Sequence, residues 1–151
     1  MNGFTLLELL VAVALVALLA GVGFPNFARL IEVNRVVSAT NEFKTALNYA
    51  RSEAVRRNES VTLDPLAGGW QTGWQVTVSG QALRRWPQSV DGLEVLRATN
   101  PLHFTSLGRL QADRAETRLI SFRLNRQARC IRLAPSGLSR VQDAPAICPS
   151  P

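Results

Sequence analysis

The sequence has few of the residue types from which enzymes and metal sites are built. It contains a single histidine, His103, and two cysteines, Cys130 and Cys148. Because neither cysteine has a second cysteine or a histidine at metal-ligand spacing, a zinc site is not expected. The sequence also has no nucleophile–base set, no phosphate-binding glycine loop and no pair of carboxylates at a useful spacing. We therefore expect a protein that is not an enzyme and uses no cofactor or metal, with a membrane-anchored periplasmic enzyme as the remote alternative.

Charge is missing from a long segment near the amino terminus. Residues 9–28 carry no charged side chain, and no lysine or arginine precedes Arg29. At about 1.5 Å per helical residue, this run matches a hydrocarbon core of roughly 30 Å. It is too long for the apolar part of an ordinary signal peptide, and it lacks the basic start and the cleavage pattern of one. We therefore expect a membrane helix that the mature protein keeps.

One carboxylate, Glu8, lies at the edge of this apolar run. A charge at mid-bilayer costs roughly 2.5–3.5 kcal/mol, so such a residue usually has a partner. Arg29 is about five helical turns away, which leaves a free chain amine as the local cation. Met1 supplies one as the chain stands, and cleavage after Gly3 creates another at Phe4. Among parallel helices, the amine of one subunit can equally pair with Glu8 of the next subunit.

The stretch GFTLLELL at residues 3–10, followed by the apolar run, resembles the start of a type IV pilin or a type II secretion pseudopilin. The resemblance implies that a prepilin peptidase cuts after Gly3 and methylates the new amino terminus at Phe4. It also implies that Glu8 guides the docking of the subunit into a filament.

The same resemblance implies a helix kink at Pro25, with Gly21 and Gly23 beside it. Unlike the usual leader, residues 1–3 contain no lysine or arginine. We therefore expect either a true start further upstream or a trimmed leader.

Beyond Pro25, apolar residues at steps of three and four predict an amphipathic helix at residues 26–58. The predicted apolar stripe consists of Phe27, Leu30, Ile31, Val37, Phe43, Leu47, Ala50 and Ala54. Short segments with alternating polarity, separated by glycine- and proline-rich turns, then predict strands. The predicted strands are residues 60–64, 74–79, 93–97, 102–105, 118–125 and 129–134. One helix followed by a run of strands indicates the α+β class, with an antiparallel sheet laid on the helix.

The stretch YARSEAVRRN at residues 49–58 resembles the GspH/FimT branch of minor pilins and minor pseudopilins. That resemblance implies the type IV pilin fold: a long, kinked amino-terminal helix, membrane-spanning in its first half and amphipathic in its second, packed against a β-rich head. The expected organisation is a leader at residues 1–3, a transmembrane and assembly helix at 4–25, an amphipathic helix at 26–58 and a periplasmic head at 59–151.

Two features are expected near the carboxyl end of the head. An even pair of cysteines in a small domain outside the cytosol indicates a disulfide, here Cys130–Cys148. Closing such a loop contributes on the order of 3 kcal/mol in the chain-entropy description.

The second feature is positive charge. The net charge is +6, and residues 97–151 hold nine arginines against three acidic residues. In residues 1–96 the basic and acidic residues are equal in number, so the whole excess lies in the last third of the chain. If residues 125–127 form a hairpin turn, Arg123 and Arg132 share an exposed face. The candidate anion-binding residues are Arg123, Arg126, Arg129, Arg132 and Arg140.

Three origins of this arginine face stay open. One is a solvated edge whose charges discourage aggregation, and another is an arginine-rich genome. The third is binding of DNA, in which case the contacts should be to phosphate and strongly salt-dependent. FimT-like DNA-uptake pilins carry a G-R-x-R motif near the carboxyl end, whereas residues 137–140 read G-L-S-R and lack the first arginine.

These features predict a minor pilin near the tip of a type IV pilus that supports pilus assembly. The alternatives are a DNA-binding minor pilin for natural transformation and a GspH-like minor pseudopilin of type II secretion. The expected partners are other pilins or pseudopilins through the amino-terminal helix, the prepilin peptidase, the inner membrane and, in one alternative, DNA. The expected location is the inner membrane of a Gram-negative bacterium, with one membrane pass and the head in the periplasm, and then the pilus or pseudopilus.

Overall fold

The computed structural model describes residues 5–98, 101–111 and 117–144, except for the side chains of residues 22–26 and 143–144. The described residues form one helix, α1 (Leu6–Arg57), followed by strands that all pair in an antiparallel manner. The strands are β1 (Val61–Leu66), β2 (Gly69–Val78), β3 (Gln81–Pro87), β4 (Glu94–Leu96), β5 (Leu102–Phe104), β6 (Arg118–Leu124), β7 (Gln127–Leu133) and β8 (Ser139–Ala144). The expected α+β class is confirmed.

The amino-terminal end of α1 is fixed by a Thr-x-x-Glu sequence. The Thr5 hydroxyl accepts the backbone N–H of Glu8 at 3.3 Å, and the Thr5 carbonyl accepts the N–H of Leu9 at 3.3 Å. Threonine is a favoured N-cap because its oxygen satisfies an amide that has no partner inside the helix. A glutamate three residues further on suits the positive end of the helix dipole.

The carboxyl-terminal end of α1 is equally defined. Asn58 adopts φ +55°, a left-handed conformation that asparagine tolerates better than most residues. The N–H of Asn58 binds the Val55 carbonyl at 3.3 Å, and the N–H of Glu59 binds the Ala54 carbonyl at 3.2 Å. This pair of bonds is the Schellman motif, which ends the helix at Asn58.

Between these ends, α1 is helical through residues 21–25. A kink at Pro25, beside Gly21 and Gly23, stays a prediction. No helix in the described part of the chain is long and apolar enough to cross a membrane.

The chain divides into two compact units, residues 1–34 and residues 35–151. In the second unit, which we call the head unit, one face of α1 is buried at steps of three and four residues. Its buried apolar residues are Val36, Ala39, Phe43, Ala46, Leu47, Ala50 and Ala54. The predicted stripe is thus confirmed from Phe43 onwards, but Val36 rather than Val37 takes the inward position. Phe27, Leu30 and Ile31 lie in the first unit and are exposed.

The strands form two four-stranded sheets, β3-β2-β1-β5 and β4-β6-β7-β8. Phe43 of α1 contacts both of them. Its ring centroid lies 5.6 Å from Trp70 and 5.0 Å from Trp74, both on β2, and 5.2 Å from Phe122 on β6. These edge-to-face and tilted aromatic contacts place the centre of the head core where the helix meets the two sheets.

Candidate assembly and binding surfaces

The first candidate surface is the start of α1. The large aliphatic residues left exposed there are Leu6, Leu7, Leu9, Leu10, Val11, Val13, Leu15, Val16, Leu18 and Leu19. Soluble monomers rarely expose a continuous apolar surface of this extent, and such surfaces usually mark contacts with other proteins or with lipid. The segment therefore has the character of an interface that the isolated chain leaves uncovered.

Glu8 is exposed in the first turn of this apolar segment. Its backbone N–H is held by Thr5, and its charge is favourable at the amino-terminal end of the helix dipole. Helix capping therefore accounts in part for a glutamate at this position. It leaves the carboxylate on the surface, where a cation of a neighbouring subunit can reach it. Gly3 and Phe4 lie outside the described residues, so cleavage and methylation stay predictions.

The stretch at residues 49–58 fixes the end of α1 to the strands and turns of the head through two contacts, and it also carries an ion-pair cluster within the helix. The first is made by Tyr49, whose ring lies 5.7 Å from Trp86 of β3 in an edge-to-face arrangement. The Arg84 guanidinium lies 4.8 Å from the Trp86 ring centroid and 5.9 Å from that of Tyr49. This cation–π cluster ties the helix to the edge strand of the first sheet.

The second contact is made by Arg51, whose Nε donates to the Gly108 carbonyl at 3.2 Å. A β-carbon at Gly108 would lie 3.1 Å from Arg51 Cγ, and one at Gly137 would lie 3.3 Å from Arg51 Cδ. Two turns of the head therefore pack against this one side chain, and glycine allows each of them to come close.

The ion-pair cluster lies within α1, at the helix end. The Glu53 side chain is only 8% exposed, and its Oε2 lies 2.6 Å from Arg56 Nη2 and 2.7 Å from Arg57 Nε. Hydrogen bonds from Arg56 and then Arg57 hold the pKa of Glu53 below its ordinary value, although burial opposes the shift. Glu53 can therefore be buried beside the apolar stripe of α1, because the two arginines neutralise its carboxylate.

The second candidate surface is the outer face of the second sheet. Arg132 of β7 lies directly opposite Arg140 of β8, and both residues are exposed. Directly opposed side chains on antiparallel strands have Cβ atoms about 4.5–5.5 Å apart, where like charges are destabilising. Arg123 lies on the same face, because it pairs with Ala128 while Arg132 pairs with Leu119. Four residues of strand separate the two positions, or about 13 Å.

The other candidate arginines are placed differently. Arg123 donates from Nε to Glu94 Oε2 at 2.8 Å and from Nη2 to the same oxygen, so it is already ion-paired. Arg126 is exposed in the two-residue turn between β6 and β7. Arg129 pairs in register with Phe122 and therefore lies on the opposite, core-facing side of the sheet. The expected face of five arginines is thus reduced to Arg123, Arg132 and Arg140, with Arg126 at its tip.

Two family models match the chain. One, described as the prokaryotic N-terminal methylation motif, covers residues 1–24. The other, described as type II transport protein GspH, covers residues 39–137. The chain belongs to the GspH family. The matched region includes residues 49–57 of α1 and every strand from β1 to β7, so the family match covers the two helix–head contacts described above.

Relatives of this GspH-family chain include type IV pilins. The type IV major fimbrial protein FimA of Dichelobacter nodosus is 29% identical over 120 residues, which are 74% of this chain and 70% of that protein. A second FimA of the same organism is 33% identical over 61 residues, 38% of each chain.

Two crystal structures of the type IV minor pilin FimU of Pseudomonas aeruginosa are similar to the fold. Their TM-scores are 0.59 and 0.55 at 26% and 27% identity. The similar regions cover 75% and 72% of this chain and 90% and 92% of theirs. The predicted resemblance to type IV pilins of the GspH/FimT kind is confirmed.

The remaining candidate residues are placed as follows. Cys130 is buried and is not a free thiol, whereas Cys148 lies outside the described residues, so the Cys130–Cys148 pairing stays a prediction. His103 is exposed on β5, with its Nδ1 2.9 Å from Thr62 Oγ1. The two helix–head contacts were not predicted from the sequence, because they depend on Trp86 and on turns that are far away in the chain.

Proposed function

We propose that this GspH-family chain is a non-enzymatic minor pilin that enters a type IV pilus and supports assembly in the tip or initiation complex. The observation that carries the proposal is the exposed aliphatic surface of residues 6–19, whose only charge is Glu8, in a chain with the methylation motif. The likeness to the minor pilin FimU supports the choice of a pilus and of a minor subunit.

The same helix serves two environments in this proposal. Residues 9–28 have no charge, so they are compatible first with the lipid of the inner membrane and later with the apolar core of a filament. The prepilin peptidase cuts after Gly3 and methylates Phe4, while the head remains in the periplasm. The mature chain is therefore expected to have the mass of a product that begins at methylated Phe4.

Glu8 is expected to favour the filament over the membrane as the location of the helix. In lipid, the carboxylate near the amino end of the helix is costly unless it is paired. In the filament, the amino terminus of a neighbouring subunit supplies the cation. Pairing is thus gained on assembly, and it specifies the axial register between the two helices.

The test replaces Glu8 in the full-length chain, in a bacterium that makes the pilus. Glu8→Ala and Glu8→Gln are expected to leave membrane insertion and cleavage intact but to remove the subunit from sheared filaments. Glu59→Ala is the matched control, because Glu59 is an exposed carboxylate beyond the helix end. Filament incorporation of Glu8→Ala at the wild-type level would contradict the proposal.

A second candidate is a minor pseudopilin of a type II secretion system, favoured by the family description as a type II transport protein. The two candidates predict different losses when the gene is deleted. A pilus subunit is required for surface filaments, whereas a pseudopilin is required for the release of secreted enzymes. Normal pili together with failed secretion would replace the first candidate by the second.

DNA binding is a third candidate, favoured by the exposed Arg132–Arg140 pair, which an anion between the guanidinium groups would stabilise. With two or three arginines available, affinity for duplex DNA should fall about 10–40-fold between 50 and 200 mM salt. Replacing both Arg132 and Arg140 by alanine should abolish retardation of DNA at low salt. The control double variant is Arg35→Ala with Arg85→Ala, which removes the same charge from exposed positions elsewhere in the head unit. Equal loss in both double variants, or no retardation by the wild type, would exclude a specific site on this face.

A further inference from the structure

Exposed aliphatic side chains also occur on the head, away from the start of α1. Among the described residues of the head unit, the large aliphatic side chains left exposed are Val55, Leu107 and Leu138, at 53%, 75% and 58%. They come from three separate parts of the chain: the last turns of α1, the turn after β5, and the turn between β7 and β8. We refer to these three residues as the aliphatic patch.

The packing of the two turns brings the patch together. A β-carbon at Gly108 would lie 2.9 Å from Val55 Cγ2, and one at Gly137 would overlap the Gly108 carbonyl oxygen. Leu107 directly precedes Gly108, and Leu138 directly follows Gly137. The two leucines therefore extend from backbones that contact each other beside Val55.

Both leucines are held by well-defined turns. The N–H of Gly108 binds the Thr105 carbonyl at 2.7 Å, and the N–H of Gly137 binds the Ala134 carbonyl at 2.9 Å. The two turns are joined by the Leu110 N–H, which donates to the Pro135 carbonyl at 3.0 Å. Two hydrogen-bonded turns thus present leucine side chains to solvent, an arrangement that burial in the head core does not explain and that a contact with another molecule does.

Arginines outnumber carboxylates around the patch, where four arginines accompany one exposed carboxylate, Glu59, just beyond the end of α1. Arg109 and Arg140 are exposed close to Leu107 and Leu138 in the chain. Arg51 and Arg56 lie on the same helical turns as Val55, and Arg56 is 67% exposed although it pairs with Glu53. Because the Glu53 carboxylate is itself buried, the patch should favour a partner that presents carboxylates around an aliphatic side chain.

We propose that the aliphatic patch is a docking site for the head of a different pilin subunit in the same filament, one that offers an aliphatic side chain flanked by carboxylates. This rests on the proposed function, because three side chains are a small surface beside the roughly 1,200–2,000 Å² of a stable interface between free proteins. A partner held in place by its own amino-terminal helix needs much less, since tethering raises its effective concentration.

A second copy of this chain fits the patch less well than a different subunit. Most described carboxylates of the head unit already bind within the chain, and those that do are Glu42, Glu53, Asp64 and Glu94. Their partners are side chains of the same molecule, which leaves only Glu59 and Asp91, among the carboxylate side chains that the structure describes in the head unit, for arginines around the patch of another copy.

The test uses photo-crosslinking in cells that assemble the filament. A photoreactive amino acid replaces Leu107 or Leu138 in the full-length chain, and Ala82, which is exposed on β3, is the matched control position. Positions 107 and 138 should give an adduct with another protein that carries the methylation motif, identified by mass spectrometry, and position 82 should not. The proposal is overturned by equal adducts at position 82, by an adduct with a second copy or with a protein of another class, or by no adduct.

A second measurement separates this site from the proposed function. The double variant Leu107→Asp with Leu138→Asp should lower the amount of the chain in sheared filaments at least several-fold, while Ala82→Asp does not. The cellular level and the thermal midpoint of the double variant should match those of the wild type. If the double variant enters filaments normally while Glu8→Ala does not enter them, the docking site is refuted and the proposed function stands. Absence of the wild-type chain from filaments refutes the proposed function and the docking site with it.

Discussion

Two phenylalanines on the same helix provide the sharpest test of how α1 is used. Phe43 is fully buried in the head unit, whereas Phe27 is 65% exposed. If the carboxyl-terminal part of α1 holds the head together and the earlier part holds the filament together, the two substitutions to alanine should have different effects. Phe43→Ala should unfold the head, and Phe27→Ala should affect assembly only.

The expected size of the effect at Phe43 follows from its contacts. Its ring packs against Trp70, Trp74 and Phe122 with centroids 5.0–5.6 Å away. Truncating a buried phenylalanine to alanine usually costs about 3–5 kcal/mol. Because these rings come from both sheets, we expect the upper half of that range. For a unit of this size, a loss of about 4 kcal/mol lowers the thermal midpoint by roughly 10–20 °C.

The assay is thermal unfolding of the full-length chain in detergent, followed by far-ultraviolet circular dichroism. Phe43→Ala should shift the midpoint by the amount given above, and Phe27→Ala should leave it within about 2 °C. In cells, Phe27→Ala should accumulate normally but enter sheared filaments less efficiently. A midpoint shift of equal size in the two variants would refute the division of α1 into a head-binding and a filament-binding part.

Two further variants test the head itself. Because hydrogen bonds from Arg56 and Arg57 lower the pKa of Glu53, the unfolded chain binds the proton more tightly. The stability from this cluster should therefore be present above the ordinary pKa of glutamate and be lost as the pH falls through the lowered value. Urea midpoints at neutral pH and at about pH 3 should differ less in Glu53→Gln than in the wild type. Gly137→Ala should cost at least 2 kcal/mol more than Gly80→Ala, about the cost of displacing packed backbone. Both glycines have a φ near +80°, but only a β-carbon at residue 137 would meet a backbone atom, the carbonyl oxygen of Gly108. Equal losses in the two glycine variants would mean that the turns separate easily.

The boundaries of α1 and the class of the fold could be read from the sequence because the signals are local. The Thr5–Glu8 spacing marks the start of the helix, and Asn58 after Arg57 marks its end. Both signals act through hydrogen bonds over a few residues, so no knowledge of the tertiary structure is needed to interpret them.

The strands β3 and β8 were not predicted, and the reason is physical. β3 reads Gln-Ala-Leu-Arg-Arg-Trp-Pro and lies at the edge of the first sheet, where arginine and proline are tolerated. β8 is likewise an edge strand, and its position opposite β7 is what brings Arg140 next to Arg132. Along β3 only Trp86 is buried, so this strand carries little of the alternation of polarity that predicts a strand.

Which arginines of the second sheet are free of ion pairs could not be predicted from the sequence. Alternation within β6 and β7 correctly placed Arg123 and Arg132 on one face, but the ion pair of Arg123 with Glu94 depends on β4, which is far away in the chain. Which arginines remain available for an anion is therefore a property of the assembled sheet. It could not be derived from the hairpin alone.

The apolar stripe of α1 has a buried part and an exposed part, which the sequence alone does not distinguish. Phe27, Leu30 and Ile31 recur at the same steps as Phe43 and Leu47, so the pattern states only that each residue needs an apolar neighbour. The head supplies that neighbour for Phe43 and Leu47, which are fully buried, whereas the other three are exposed. A stripe that continues beyond its own head requires a partner outside the chain. The apolar surface that begins at Leu6 requires the same, and on the function proposed above that partner is the filament.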